Sequence, residues 1–476
     1  MAYIEGKFRQ QGMLMPARVD DYIGEVSVVR YIDAFAKSLP MGALGFERSE
    51  PAETGRPGYD PRMMLALWIY GYTNRMVSSR SLEREAGRNL EVMWLTETLR
   101  PDFKTISDFR RDHKKVLVKV FREFVRICRR EDLLGGELVG IDGSKFRAVN
   151  SSDRNYSEQK IARLQRELEK RIERYMRQVE EHDKREEKKE TGRLTPEQLR
   201  EKIERLRERQ KENEALAAEL KASDQSQISK TDPDSRSMKM RGGTNVCYNA
   251  QTAVDSKHGL IVTAQVTNDA NDQQQLSAVA IEAKKALGVE TLAVVADRGY
   301  SNSVELDRCE KEQITTYVPQ VQNRRSEKVG RFSKQDFEYD AKTNGYRCPA
   351  GQSLSHRFNS KQGKRVVQYY WSDACGSCAL RSRCLDPRSK FRKVTRRTDE
   401  ERITDAARRA SDRPDLMQKR QELCEHPFGS IKRWINGGYF LLKGLDGVRA
   451  EFSLAALAYN IKRVWNIKCA AIAHAT

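Results

Sequence analysis

The chain has 476 residues and carries 87 Lys and Arg against 68 Asp and Glu, a formal net charge of +19. That length buries a sizeable core and divides into about two to four domains, and the positive excess points to a polyanionic partner, nucleic acid first. No apolar run of roughly eighteen residues exists, which excludes a membrane-spanning helix, and the opening stretch lacks the apolar centre of a signal peptide. An intracellular location is expected, so the nine cysteines read as thiols or metal ligands rather than disulfides.

The first 135 residues read as helical. Val28, Tyr31, Ile32 and Phe35 share one face of a helix over 24–39. Asp60-Pro61 starts a second over 62–72, with Asp as cap and Pro in the first turn. Short helices follow, one from Ser79 or Ser81 to Ala86 with Gly87 beyond it, and one over 90–95. A long helix is predicted over 105–130, apolar at Ile106, Phe109, Val120, Phe121, Phe124 and Cys128, and basic elsewhere. Short helices joined by tight turns suit a helix-turn-helix reader of DNA, and equally a generic helical bundle with a solvated basic face.

Strand residues take over at 137–149, where Leu138-Val139-Gly140-Ile141 leads to Asp142-Gly143. Helical spacing then returns. Ile161, Leu168 and Tyr175 stand seven apart, as do Ile172 and Val179, and Leu199, Ile203, Leu206 and Leu220 form a second stripe. Thr195-Pro196-Glu197-Gln198 is a capping box after a turn at 190–192, so two long charged helices form an antiparallel hairpin. Its thin stripe needs a further support or a second copy. Residues 223–243 read as a polar loop, and strands resume at 246–254 and 260–267. A helix over 272–287, a strand over 291–296 ending in Asp297, and a strand over 314–318 follow. Residues 320–414 are basic, turn-rich and cysteine-bearing, and helices return from Pro414 through Lys432 and over 448–465.

The chemistry lies in the strand ends. The first strand ends in Asp142, the fourth in Asp297, and the helix after the fifth carries Glu425. With the first strand central in a mixed sheet, the two Asp stand side by side and the helix brings the Glu across. Clustered carboxylates repel unless a cation lies among them, and oxygen ligands suit Mg²⁺ or Mn²⁺. Such ions activate water and stabilise a leaving oxygen in phosphodiester cleavage. Asp255, Asp269, Asp272, Asp307, Asp232 and Asp234 read as caps and turn residues.

Val139-Gly140-Ile141-Asp142-Gly143, Val295-Ala296-Asp297-Arg298-Gly299-Tyr300 and Glu425-His426-Pro427-Phe428-Gly429-Ser430-Ile431-Lys432 resemble the motifs of bacterial insertion-sequence DDE transposases. Thr231-Asp232-Pro233-Asp234-Ser235-Arg236 and the polar stretch 268–275 extend the likeness over nearly the whole chain. The resemblance implies an α/β fold: an RNase H-like mixed sheet of the retroviral-integrase superfamily at 136–153, 244–319 and 415–476. A helical DNA-binding domain over 1–135 precedes it, and a helical hairpin (154–243) and a Cys-rich segment (320–414) interrupt it. It implies cleavage at the ends of a mobile element and joining of the freed 3′-OH to target DNA, with Asp142, Asp297 and Glu425 binding Mg²⁺ or Mn²⁺.

A nuclease without strand transfer, and a domesticated DNA-binding protein without catalysis, are the alternative readings. The partners are double-stranded DNA, as terminal inverted repeats and target, and a second copy on that DNA. No membrane is involved, and the setting is the bacterial cytoplasm and nucleoid. Lys432, seven residues past Glu425, shares its helix face and can hold a phosphate. Arg420, Arg298, Lys114, Arg110 and Arg111 are the other expected DNA contacts. The family has Tyr and Arg upstream of the Glu; here Arg420 is the Arg, and Met417 stands in the aromatic position. Pro427 predicts a start or a bend in this helix.

Cys348, Cys375, Cys378 and Cys384 form the second constellation. Four thiols with a C-x₂-C core can complete a structural Zn²⁺ site, against reduced thiols without metal. Tyr369, Tyr370 and Trp371 lie beside Lys364, Arg365 and the basic tract 388–397, which suits either DNA contact or strand packing.

Overall fold

The computed structural model describes residues 18–47, 58–184, 195–223, 226–240, 242–320, 330–362, 365–397 and 399–475. The N-terminal stretch, the turn at 190–192 and Lys364 fall outside these residues, as does the side chain of Arg365.

Local capping chemistry sets the first helices. Ser27 accepts from the Val29 N–H at 3.3 Å to open α1 (Val28–Ser38), and α2 (Met41–Leu44) follows. Asp60 accepts from Arg62 N–H at 2.7 Å to open α3 (Pro61–Thr73), with Pro61 at its first position. Next come α4 (Ser79–Glu85) and α5 (Leu90–Leu95), the latter capped by Asn89. The long helix expected over 105–130 is two helices, α6 (Phe103–Asp112) and α7 (Lys114–Arg130). The break falls at His113, whose buried ring contacts the Phe109 carbonyl through Nδ1 at 2.8 Å and accepts the Glu47 N–H at Nε2, 3.2 Å. Apolar spacing runs on through both helices, which is why the sequence hid the break.

The central sheet begins with β1 (Leu138–Arg147). A short β2 (Asn155–Ser157) leads into the hairpin of α8 (Glu158–Lys184) and α9 (Pro196–Ala222). The capping box at Thr195 and Gln198 is formed. The two apolar stripes close on each other: Leu168 and Ile172 pack with Ile203 and Leu206, and Ile161 packs with Leu216 and Leu220. The polar stretch read as a loop contains β3 (Gln227–Ser229), paired with β2, and β4 (Arg236–Met240). Strands β5 (Gly243–Asp255) and β6 (Ile261–Thr267) follow. Then come α10 (Leu276–Leu287), β7 (Leu292–Ala296), α11 (Ser303–Lys311) and β8 (Ile314–Tyr317).

The sheet order is β4-β5-β1-β7-β8, with β6 also on β5. β4 and β6 share one edge of β5, end to end, because β4 pairs with its first residues and β6 with the rest. β1 is central, antiparallel to β5 and parallel to β7, which is in turn parallel to β8. This is a mixed α/β architecture with the first strand in the middle, as its unbroken apolar run suggests.

Residues read as turn-rich form a second sheet instead. It contains β9 (Glu338–Asp340), β10 (Gly345–Arg347), β11 (Ser353–Gln362), β12 (Arg365–Trp371) and β13 (Val394–Arg397), in the order β13-β12-β11-β10-β9. Its core is small: Phe337, Tyr346, Leu354, Tyr370 and Val394. Tyr370 is in that core, whereas Tyr369 stacks on Phe358 and Trp371 on Phe391, so all three aromatics of the run are engaged in packing. A one-turn helix, α12 (Arg381–Cys384), lies between β12 and β13.

After it, α13 (Glu400–Asp412) returns to the central sheet, where Arg409 Nε donates to the Thr316 carbonyl at 3.0 Å. The helix α14 (Pro414–Ser430) neither starts nor stops at Pro427: the proline lies inside it, and a π-turn over Ile431–Ile435 follows. The last helix, α15 (Leu445–Ala475), is longer than expected. One continuous core joins α1, α3, α6 and α7 to the sheet and α15, so the N-terminal helices share the core of the central sheet. No described helix is long and apolar enough to cross a membrane.

Candidate active site

Alternation along β1 sorts its side chains onto two faces. A Cβ on Gly140 would stand 3.0 Å from Cys424 Sγ and Leu423 Cβ, so α14 lies directly over this face. The missing side chain is what permits the approach. Asp142, Ser144 and Phe146 follow on the same face, and Phe146 is buried among Phe428, Phe440 and Phe452. Gly143 and Lys145 face the other way, opposite Gln251 and Asn249 of β5.

The parallel register pairs Ile141 with Ala296, which sets Asp142 beside Asp297 just past the end of β7. β1 itself does not end at Asp142 as its sequence suggested; it runs on to Arg147 because β5 keeps pairing with it. Asp297 caps the short turn that follows, accepting from Gly299 N–H at 2.8 Å. Burial pushes the Asp142 carboxyl up to about 6. Asp297 and Asp272 add to that rise, while the Gly143 N–H, 2.9 Å from Asp142 Oδ1, and Arg420 oppose it. Glu425 is exposed on α14, one residue past buried Cys424. The Cys424 thiol is raised chiefly by burial, and also by Asp142, Asp297 and Glu425.

Positive charge lies on the same face. Lys432 donates to Ser144 Oγ at 2.6 Å and stands 4.9 Å from the Phe146 ring centre. Its ammonium is held below the ordinary lysine range by burial, with Asp142 and Cys247 opposing. The Arg420 Nε is buried with no hydrogen-bond partner, as is Thr252 Oγ1 on β5, opposite Asp142. Unpaired polar atoms beside an acidic pair are groups that a bound substrate or water can satisfy.

The opposite face holds a residue that the sequence reading placed among the caps. Asp272 does not cap α10, which begins at Leu276 after Gln275. Its Oδ1 accepts from Asn249 Nδ2 and Gln251 Nε2, each at 2.7 Å, and from Lys145 Nζ at 3.5 Å. Tyr300 O–H donates to Gln251 Oε1, which closes the network onto the turn after Asp297. Its partners lie on β1 and β5, so no local pattern announces it; the signal available was its place in the polar stretch 268–275.

The other acids do take structural parts. Asp255 accepts from Gly135 and Gly136 N–H at 3.0 Å, and Asp307 pairs with Lys311 and Arg402. Asp232 is fully buried and accepts from Tyr248 O–H and Gly444 N–H, while Asp234 accepts from Leu445 N–H. Together they fix the start of α15.

Of the expected DNA contacts outside this face, Arg298 is exposed next to Asp297, Lys114 is half-buried, and Arg111 pairs with Asp108 and Asp112. Arg110 does not fit a DNA contact: it is 5 % exposed, donates to Tyr72 O–H and the Val77 carbonyl, and lies over Trp68. It fell on the basic stripe by sequence, but the break at His113 puts it in the α6 register, facing the core.

Among the described residues, no group of three or more His, Cys, Asp or Glu side chains is arranged to hold a metal ion as it stands. Asp142 and Asp297 nevertheless suit a divalent cation: two half-buried hard oxygen donors whose mutual repulsion a cation relieves.

Residues 347–465, which contain α14, match a family model described as a transposase DDE domain. Over this stretch the chain is similar to the DDE transposases. Residues 19–112 match a second model, described as a transposase domain (DUF772). No curated protein matches the chain. Both matches support a role in transposition.

Proposed function

We propose that this transposase has an RNase H-like core, cleaves the ends of its element by phosphodiester hydrolysis and joins the freed 3′-OH to target DNA. The observation that carries the reading is the placing of Asp142, within β1, beside Asp297 at the end of the adjacent parallel β7, under the helix that bears Glu425. A divalent cation, Mg²⁺ or Mn²⁺, bound by these three carboxylates supplies charge stabilisation to the attacking and leaving oxygens.

The protein's own groups set the geometry. The ammonium of Lys432, fixed by Ser144, and the guanidinium of Arg420 offer positive charge to the scissile phosphate. On the opposite face the Asp272 network, packed against Gly143, braces β1 beside Asp142. In the first reaction a water oxygen bonds to phosphorus, its proton passes to solvent, and the bond to the 3′-oxygen breaks. In the second that 3′-OH bonds to a target phosphorus and displaces a target 3′-oxygen. Two element ends have to be held together, which calls for at least two copies on the DNA.

The test is a supercoiled plasmid carrying the inverted repeats that flank the gene, incubated with purified protein and Mg²⁺. Nicking at the repeat ends and joined products are expected, and Asp142→Asn, Asp297→Asn and Glu425→Gln each lower both by about a thousandfold or more, the scale of removing a central catalytic group. Full activity in any of the three overturns its assignment. Nicking without joined product supports the nuclease reading instead.

A further inference from the structure

The four cysteines of the second sheet are not used by the proposed catalysis, and they come from three places in its sequence. Cys348 follows β10, Cys375 lies within a short helical turn after β12 and Cys378 ends it, and Cys384 ends α12. All four line one cavity of about 30 Å³, a space on the scale of one or two waters. We propose that this cavity is a structural zinc site with Cys348, Cys375, Cys378 and Cys384 as its ligands.

Three observations support it. First, the Cys348-Pro349-Ala350-Gly351 segment is a tight turn: Gly351 N–H donates to the Cys348 carbonyl at 2.8 Å, and Gly351 has φ +74°. A turn of this kind folds the backbone back beneath its leading thiol, and the left-handed φ requires the glycine. Second, Cys375 and Cys378 have the C-x₂-C spacing that brings two sulfurs to one ion. The turn between them is pinned from outside, where Arg381 donates to the Cys375 carbonyl at 3.2 Å and to the Ser389 carbonyl at 3.0 Å. Third, the sheet needs a staple. Its apolar core is five residues, and Cys348 and Cys384 already pack on that core. A unit this small is held by a metal or a disulfide more readily than by burial alone.

As they stand the thiols are free and half-buried, and no three of them are grouped tightly enough to hold an ion. Their backbones nonetheless surround one cavity, so closure onto Zn²⁺ requires side-chain rotation and not a new fold. The soft sulfur set selects zinc over the hard cations proposed for the carboxylates.

The test uses the full chain purified without chelator, with metal content read by elemental mass spectrometry. About one zinc per chain is expected, retained in Asp142→Ala and lost in Cys375→Ser/Cys378→Ser. If the double variant is insoluble, cobalt exchange into the wild-type protein serves instead, and a thiolate-to-cobalt charge-transfer band supports the site. Metal-free protein whose thiols all react with a thiol reagent overturns the proposal, as does a Cys375–Cys378 disulfide. Zinc lost in Asp142→Ala assigns the ion to the carboxylates and also overturns it. None of these outcomes depends on DNA cleavage, so failure here and failure of the catalytic reading are separable.

Discussion

At the residue scale the candidate site turns on Gly143. A Cβ there would fall on the Gln251 amide and 2.6 Å from Asp272 Oδ1. Both groups are ends of side chains, but each is tied into the network of Asn249, Lys145 and Tyr300, so neither yields freely. Overpacking of this kind costs about 1–3 kcal/mol. By displacing Asp142 from its place beside Asp297, Gly143→Ala is expected to slow plasmid nicking by about tenfold or more, equivalent to about 1.4 kcal/mol lost at the transition state. Circular dichroism is expected to keep its wild-type shape, with a modest drop in melting temperature from the overpacking. Nicking at the wild-type rate would mean that the Asp272 network plays no part in shaping β1 around Asp142. Asp142 and Asp297 could be found in the sequence because each ends an apolar run that must be a buried strand. Asp272 could not, because its three partners lie 21 to 127 residues away along the chain and meet it only once β1 pairs with β5.

At the element scale the hairpin α8–α9 shows what periodicity can and cannot predict. Heptad spacing and the capping box gave both helices and their antiparallel pairing, and the stripes meet as expected. The same reasoning failed at 105–130, where apolar spacing is continuous but His113 diverts the backbone. It failed again at 320–414, where alternation was masked by charge and the sheet rests on five buried residues. The hairpin clusters are separate from the main core, so a lesion there should stay local. Leu206→Ala removes a buried leucine and is expected to cost the hairpin about 2–5 kcal/mol. Hydrogen exchange is expected to speed up across α8 and α9 while protection of β1, β5 and β7 holds. Loss of protection in those strands as well would show that hairpin and sheet unfold as one unit.

At the scale of the whole molecule, the N-terminal helices and the last helix are joined by a buried charge as well as by the shared core. Glu451 on α15 is fully buried and accepts from Leu441 and Leu442 N–H. Burial raises its carboxyl above the usual range, and Arg110 on α6 opposes that rise. Removing the guanidinium leaves the carboxylate buried with less compensation, which destabilises the folded protein. Arg110→Met is therefore expected to lower the melting temperature, and the size of the drop should depend on pH. A carboxyl with a raised folded pKa binds its proton more tightly in the native state. The protein is favoured below the unfolded value of roughly 4.3 and loses that advantage as pH rises through the folded pKa. Without Arg110 the folded pKa climbs further, so the gap between wild type and variant widens from acid toward neutral pH. The lost bonds to Tyr72, Val77 and the Trp68 face contribute a gap that is flat over this range, because none of those groups titrates there. Melting both proteins across the acid-to-neutral range separates the two contributions, and a gap independent of pH would assign the role of Arg110 to packing alone.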